Sequence, residues 1–192
     1  MSRYEVLLFL HIAAATVWLG AAVTVQLLIF RAERAADQGA MQAMGEGADW
    51  LATRLFIPAS LSVLVLGVLL VIDGPWGFDE LWILLGLAGY AASFLTGILY
   101  FKPEGERVTS GIAAHGPDDP GVRQRLRRLS VVSWLEIVIL FLVLANMALK
   151  PTGDDVGTLV VGMAVLLAAA AVAVRSLRTP HAEADRPPLV PE

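Results

Sequence analysis

Apolar residues in this chain come in long uninterrupted runs, not in the short periodic patterns of a water-soluble core. Five runs stand out, at 6–30, 55–72, 81–101, 131–149 and 158–174. An α-helix rises about 1.5 Å per residue, so roughly 20 apolar residues cross the hydrocarbon core of a bilayer. The pattern predicts an all-α integral membrane protein, a five-transmembrane-helix bundle that forms a single domain over 1–178. From 179 to 192 proline, alanine and charge replace the apolar runs, which predicts a disordered tail. The first run opens like a signal peptide, with Arg3 and small residues at 13–15. It continues to Phe30, too long for a cleavable apolar core, and is expected to span.

The connections carry their own signals. Residues 73–79, Asp-Gly-Pro-Trp-Gly-Phe-Asp, are turn chemistry and predict a tight link, with Trp76 and Trp82 placed for an interfacial aromatic belt. Asp119-Pro120 reads as an N-cap followed by proline at the first helical position, so the fourth helix should start well before its apolar run. Met41, Met44, Ala48, Leu51 and Leu55 recur at helical spacing and suggest an amphipathic segment, weakened by Gly39, Gly45 and Gly47. Gly86, Gly89, Ser93 and Gly97 share one face of the third helix, and Ala168 to Ala171 give the fifth a small surface. Small faces let helix backbones approach closely, so these are expected to serve packing, including a homo-oligomer interface.

Composition agrees with the pattern: 57% of the 192 residues are apolar, only 17% are charged and mean hydropathy is +0.68. The absence of cysteine excludes disulfides, thiolate metal sites and CxxC redox chemistry. A net charge of −4 suggests no nucleic-acid role. Twelve of the 14 cations fall in the first and third connections and the tail. The positive-inside rule then places the N-terminus outside and the C-terminus in the cytoplasm of a bacterial inner membrane, as five spans require. The cluster Arg123, Arg125, Arg127 and Arg128 is expected to anchor at lipid headgroups.

Polar residues inside the apolar runs are the candidates for chemistry. His11, Ala15, Trp18, Ala22 and Gln26 share one face of the first helix, which should look into the bundle. Projecting the other runs at the same rise gives two layers. An outer layer collects His11, Thr16 and Asn146, with Met147 close by; an inner layer collects Gln26, Ser60, Ser62, Thr96 and Glu136. Glu136 is the costliest residue, because a carboxylate in hydrocarbon is destabilising by roughly 2.5–3.5 kcal/mol on insertion scales unless paired, wetted or protonated. Its structural alternative is a bond to Gln26 or an ion pair with Arg54 or the 123–128 arginines. A neutral His11 has three readings: a ligand to haem b or a copper ion, a proton relay, or a hydrogen bond to Asn146 or a backbone carbonyl. No phosphate-binding loop, nucleophile triad or HExxH helix is present, which argues against soluble-type hydrolysis and makes an enzyme the less favoured class.

Several short motifs add to this reading: Leu10-His11 followed by Trp18-Leu19-Gly20, then Arg54-Leu55-Phe56-Ile57-Pro58, Gly67, Trp82, Lys102-Pro103 and Leu149-Lys150-Pro151. Over residues 5 to 151 these resemble a bacterial family of predicted integral membrane proteins known as domain of unknown function 2269. The His11 to Gly20 pattern is also similar, more loosely, to copper-resistance D-type membrane domains and to four-helix membrane protoporphyrinogen oxidases. That second resemblance implies a haem-associated role for His11, without a second intramembrane histidine to join it. The expectation drawn from residues and resemblance is an accessory or redox membrane protein that binds haem b or copper through His11, beside Trp18, Asn146 and Met147. The alternatives are no cofactor at all, with a small proton-coupled transporter working through Glu136 and Gln26, or a structural subunit of a membrane complex.

Overall fold

The computed structural model describes residues 2–35, 39, 47 and 50–178. Among these residues six α-helices follow one another: α1 (Arg3–Ala35), α2 (Ile57–Asp73), α3 (Leu81–Thr96), α4 (Lys102–His115), α5 (Pro120–Leu149) and α6 (Val156–Arg178). No strand occurs among the described residues. Five continuous rods are long and apolar enough to cross a membrane: Arg3–Arg31, Ala52–Asp73, Leu81–His115, Pro120–Leu149 and Val156–Arg178. The five expected spans are all there. Met41, Met44 and Ala48 of the suggested amphipathic segment, and the tail from 179, lie outside the described residues.

Two rods contain a wider turn. Ala52–Phe56 leads into α2 and Gly97–Phe101 joins α3 to α4, both as five-residue π-helical turns. Each sits directly before an X-Pro step, Ile57-Pro58 and Lys102-Pro103. Proline has no N–H and its ring collides with the carbonyl four residues back. The chain widens by one residue instead of breaking: the Ile57 N–H donates to the Ala52 carbonyl, and the Lys102 N–H to the Gly97 carbonyl. Lys102-Pro103 therefore does not close the third helix. It starts α4, which carries the rod on to His115.

α5 is the hub of the bundle, packing against α1, α3, α4 and α6, while α2 lies along α1. α6 buries no residue and contacts only α5 extensively, so it is peripheral in the bundle. Phe9, Ile12, Leu99, Phe141, Val161 and Leu167 all point outward, an apolar surface that suits lipid and not water. The small face of α3 is taken up inside the chain: a Cβ added at Gly86 would meet Met147, and one at Gly89 would meet Val143, both on α5.

The two ends of the bundle differ. At one end Trp82, only 8% exposed, packs with Val71 and Ile83 in the core instead of turning its ring outward. Trp76 meets it edge-on at 5.4 Å between ring centres, Tyr4 lies 6.0 Å from Trp76, and Arg3 pairs with Asp73 at 3.6 Å. Lys150 ends α5 in the left-handed conformation (φ 47°), which brings its ammonium 3.9 Å from the Trp76 ring centre. Thr152 then donates to Asp155 through both its N–H and its hydroxyl, holding that carboxyl below the usual carboxylate range ahead of α6. At the other, basic end Asp119 accepts from the N–H groups of Gly121 (2.8 Å) and Val122 (3.1 Å), the cap read from sequence. The arginine cluster is spent largely within the protein: Arg123 pairs with Asp118, Arg125 with Glu104 at 2.9 Å, and Arg127 donates to the Ser176 carbonyl, tying α5 to α4 and α6. A headgroup anchor alone does not describe it.

Candidate functional site

The stripe on α1 faces the bundle as its spacing requires. Gln26 is completely buried and His11, Ala15, Trp18 and Ala22 are half-buried, whereas Ile12, Val17, Leu27 and Leu28 turn outward. The polar residues grouped by depth nevertheless separate once their bonds are traced. Thr16, Ser60, Ser62 and Thr96 each return a hydroxyl hydrogen bond to their own helix, to the carbonyls of Ile12, Ile57, Pro58 and Ala92. Such back-bonding satisfies a hydroxyl in hydrocarbon without a partner helix. Of the polar residues within the spans, Gln26, Ser93 and Asn146 do reach across: Gln26 Nε2 to Ser130 Oγ at 3.2 Å, Ser93 Oγ to a Glu136 carboxylate oxygen, and Asn146 Nδ2 to the Trp82 carbonyl at 2.6 Å.

The outer residues do not gather around His11. Its imidazole lies beside the Val63 backbone and against Gly67, where an added Cβ would sit 3.2 Å from the ring. The glycine opens the room the ring occupies. Asn146 is bound to Trp82, Met147 lies over Gly86, and Trp18 meets Tyr90 edge-on at 5.8 Å. No hydrogen bond joins His11 to Asn146, and His11 Nδ1 is buried with no partner. No group of three or more His, Cys, Asp or Glu side chains able to hold a metal occurs among the described residues.

The inner residues are more telling. Glu136 makes no ion pair among the described residues, neither with Arg54 nor with the arginines of α5; its partner is Ser93 on α3. Its second oxygen, Oε2, is buried without a partner. Gln26 meets α5 at Ser130, six residues and about 9 Å of helical rise from Glu136, so the two are successive steps along one helix and not one site. Between them in importance stands Tyr90, which the sequence reading left aside. Its ring stacks on Phe94 (5.8 Å, 15°) and meets Trp18, and its hydroxyl is buried beside Ser60 without a hydrogen bond of ordinary geometry. Side chains of α1, α2 and α3 thus meet at Tyr90, one helical turn from the Ser93–Glu136 bond.

Among the described residues five buried polar atoms lack partners: His11 Nδ1, Gln26 Oε1, Tyr90 Oη, Glu136 Oε2 and Asn146 Oδ1. Such atoms are few in folded proteins and costly in hydrocarbon, where water offers no alternative. Here they are strung from the tryptophan-lined end toward the basic end, with Ser93 holding Glu136 and Ser130 holding Gln26. Both serines were legible only in part. Ser93 reads as one more small residue on a packing face, and Ser130 falls one position before the fourth apolar run.

A family model described as predicted integral membrane protein (DUF2269) matches residues 5–151. The chain belongs to this family. The matched stretch of the DUF2269 protein takes in α1 through α5, and with them every residue of the site, and leaves out peripheral α6. No curated protein and no solved structure matches the chain. Family membership therefore supports a multi-pass membrane protein and is silent on ligand and reaction.

Proposed function

We propose that this DUF2269 protein is a small proton-coupled carrier whose working group is Glu136. The observation that carries the reading is the state of that carboxyl, which receives one bond, from Ser93, and has a buried second oxygen with no partner. Neither protonation state is at rest in these surroundings. Ionised, the group is a charge in hydrocarbon without a counter-ion; protonated, it can bond Ser93 through one oxygen but leaves the other unmet. A group with an unmet need in both states is suited to alternate between a proton and a second occupant. Gln26 with Ser130 supplies a further polar step toward the basic end, and Tyr90 one toward α2. In this reading the basic end faces the cytoplasm of a bacterial inner membrane, as the distribution of Arg and Lys favours.

The test is proton flux in vesicles containing the purified protein and a trapped pH-sensitive dye, with a pH step imposed across the membrane. The wild-type protein is expected to speed equilibration, and Glu136→Gln to slow it at least about tenfold, the equivalent of about 1.4 kcal/mol at the limiting step. Equal flux in both proteins across pH would overturn the reading.

A second reading keeps His11 as the ligand of haem b or a copper ion, favoured by its buried and unpartnered Nδ1. Asn146 and Met147 are engaged elsewhere, so His11 would be the one ligand this chain contributes from that layer. An absorption spectrum with a Soret band, or copper by elemental analysis of the purified protein, would establish it; a sample with neither would end it.

A further inference from the structure

The surroundings of Glu136 also bear on what the carrier exchanges for its proton, and this inference rests on the carrier reading. A carboxylate without a cationic partner selects a cation. The kind of cation is decided by what else is present. Magnesium and calcium take six or more oxygen ligands, and magnesium gives up its own water reluctantly. The oxygen on hand for Glu136 is the Ser93 hydroxyl, the Tyr90 hydroxyl one helical turn along α3 lies toward Ser60, and no group of three or more acids or histidines accompanies them among the described residues. A small hydrated ion would lose far more water than the site could replace.

Aromatic rings flank Ser93, the residue that holds Glu136, along α3. Tyr90, Ser93 and Phe94 occupy adjoining positions on α3, and Trp18 of α1 closes on the Tyr90 ring. Ring faces are electron-rich and attract a weakly hydrated cation within about 6 Å, best when the ion sheds little water on arrival. Trp18, Tyr90, Phe94 and Glu136 are half-buried, not sealed in.

We propose that the exchanged solute is a monovalent organic cation whose charge is screened by apolar groups, an ammonium or phosphonium, seated between the Glu136 carboxylate and the rings of Tyr90, Phe94 and Trp18. The exchange balances simply. The cation arrives, the carboxyl O–H releases its proton to water, and the carboxylate that remains is the counter-ion; no bond other than that O–H breaks and no electron moves.

Tetraphenylphosphonium is the probe. Calorimetric titration of the full-length protein in detergent, repeated in buffers of different ionisation enthalpy, reads affinity and protons released together. Saturable binding with release of about one proton per cation is expected. Glu136→Gln should weaken binding at least about tenfold and abolish the release. Tyr90→Leu should weaken it about 2- to 30-fold while the release persists, the range spanned by a cation–ring contact of about 0.5–2 kcal/mol. Leu99→Ala, on an outward face, should bind as wild type and marks simple partition into the micelle if it and every other variant bind alike. Size-exclusion profiles and thermal unfolding confirm that each variant is folded, and Glu136→Asp, which keeps the charge, takes the place of Glu136→Gln if that variant is not: proton release should persist with altered affinity. Absence of binding, or binding indifferent to both Glu136 and Tyr90, overturns the proposal. If that happens while the Glu136-dependent proton flux stands, the carrier reading survives and only the substrate class fails. If the flux itself is independent of Glu136, the carrier reading fails first.

Discussion

Gly89→Ala puts the packing of α3 on α5 to a quantitative test. A Cβ at position 89 would collide with Cγ2 of Val143. Valine in a helix has one strongly preferred side-chain rotamer, so it cannot swing aside without strain. Inserting a carbon into a well-packed contact typically costs about 1–3 kcal/mol, and the helical preference of alanine over glycine returns about 0.5–1 kcal/mol. The balance is a net loss of up to about 2.5 kcal/mol. For a chain of this size that lowers the unfolding midpoint by up to about 10 °C, at roughly 2–4 °C per kcal/mol. Two neighbours on the same face act as controls. At Gly86 the collision is with the terminal methyl of Met147, a flexible side chain that can move, so Gly86→Ala should lose less. At Gly97 nothing lies within 4 Å, and Gly97→Ala should be neutral or slightly stabilising. The assay is thermal unfolding of the three variants in one detergent. The order of midpoints expected is Gly97→Ala, Gly86→Ala, Gly89→Ala from high to low. A Gly89→Ala protein more stable than Gly97→Ala would refute the packing argument.

Two more perturbations concern the ends of α5. Asp119→Ala removes the acceptor for the N–H groups of Gly121 and Val122, and should cost about 0.5–2 kcal/mol, with faster amide exchange confined to the first turn of α5. Lys150→Gln removes the ammonium over Trp76 and should cost about 0.5–2 kcal/mol and alter tryptophan fluorescence; unchanged stability and emission would show that the cation–ring contact contributes nothing.

The architecture was legible because burial in a bilayer writes itself into sequence as length. Five apolar runs became five spans, and Asp119-Pro120 marked the start of α5 to the residue. The inward face of α1 was legible for a related reason, since only a helix that buries one side spaces His11, Trp18 and Gln26 as it does. What stayed hidden depends on partners across the bundle. Proline at 103 reads as a stop, and whether a helix stops or widens into a π turn is decided by backbone bonds that composition does not reveal. Depth along a helix puts Gln26, Thr96 and Glu136 in one layer, yet the direction of each side chain sends Thr96 back to its own helix and Gln26 to Ser130. Trp82 looked like an interfacial anchor by position and is core by packing.

Glutamate at 136 is an expensive choice if its role is only to hold α5 against α3. A glutamine there has nearly the same shape, and its amide oxygen would accept the Ser93 hydroxyl as the carboxylate does. It would never carry a charge into hydrocarbon, and on insertion scales the charge alone weighs roughly 2.5–3.5 kcal/mol. A structural role is thus served at least as well by the amide, and Glu136→Gln should leave stability unchanged or raised. A role in proton exchange is served by the acid alone. The same substitution therefore pulls the two readings apart, because stability and flux should move independently: a protein that unfolds no more easily yet no longer passes protons has lost a working group, whereas one that loses stability and flux together has lost a structural support.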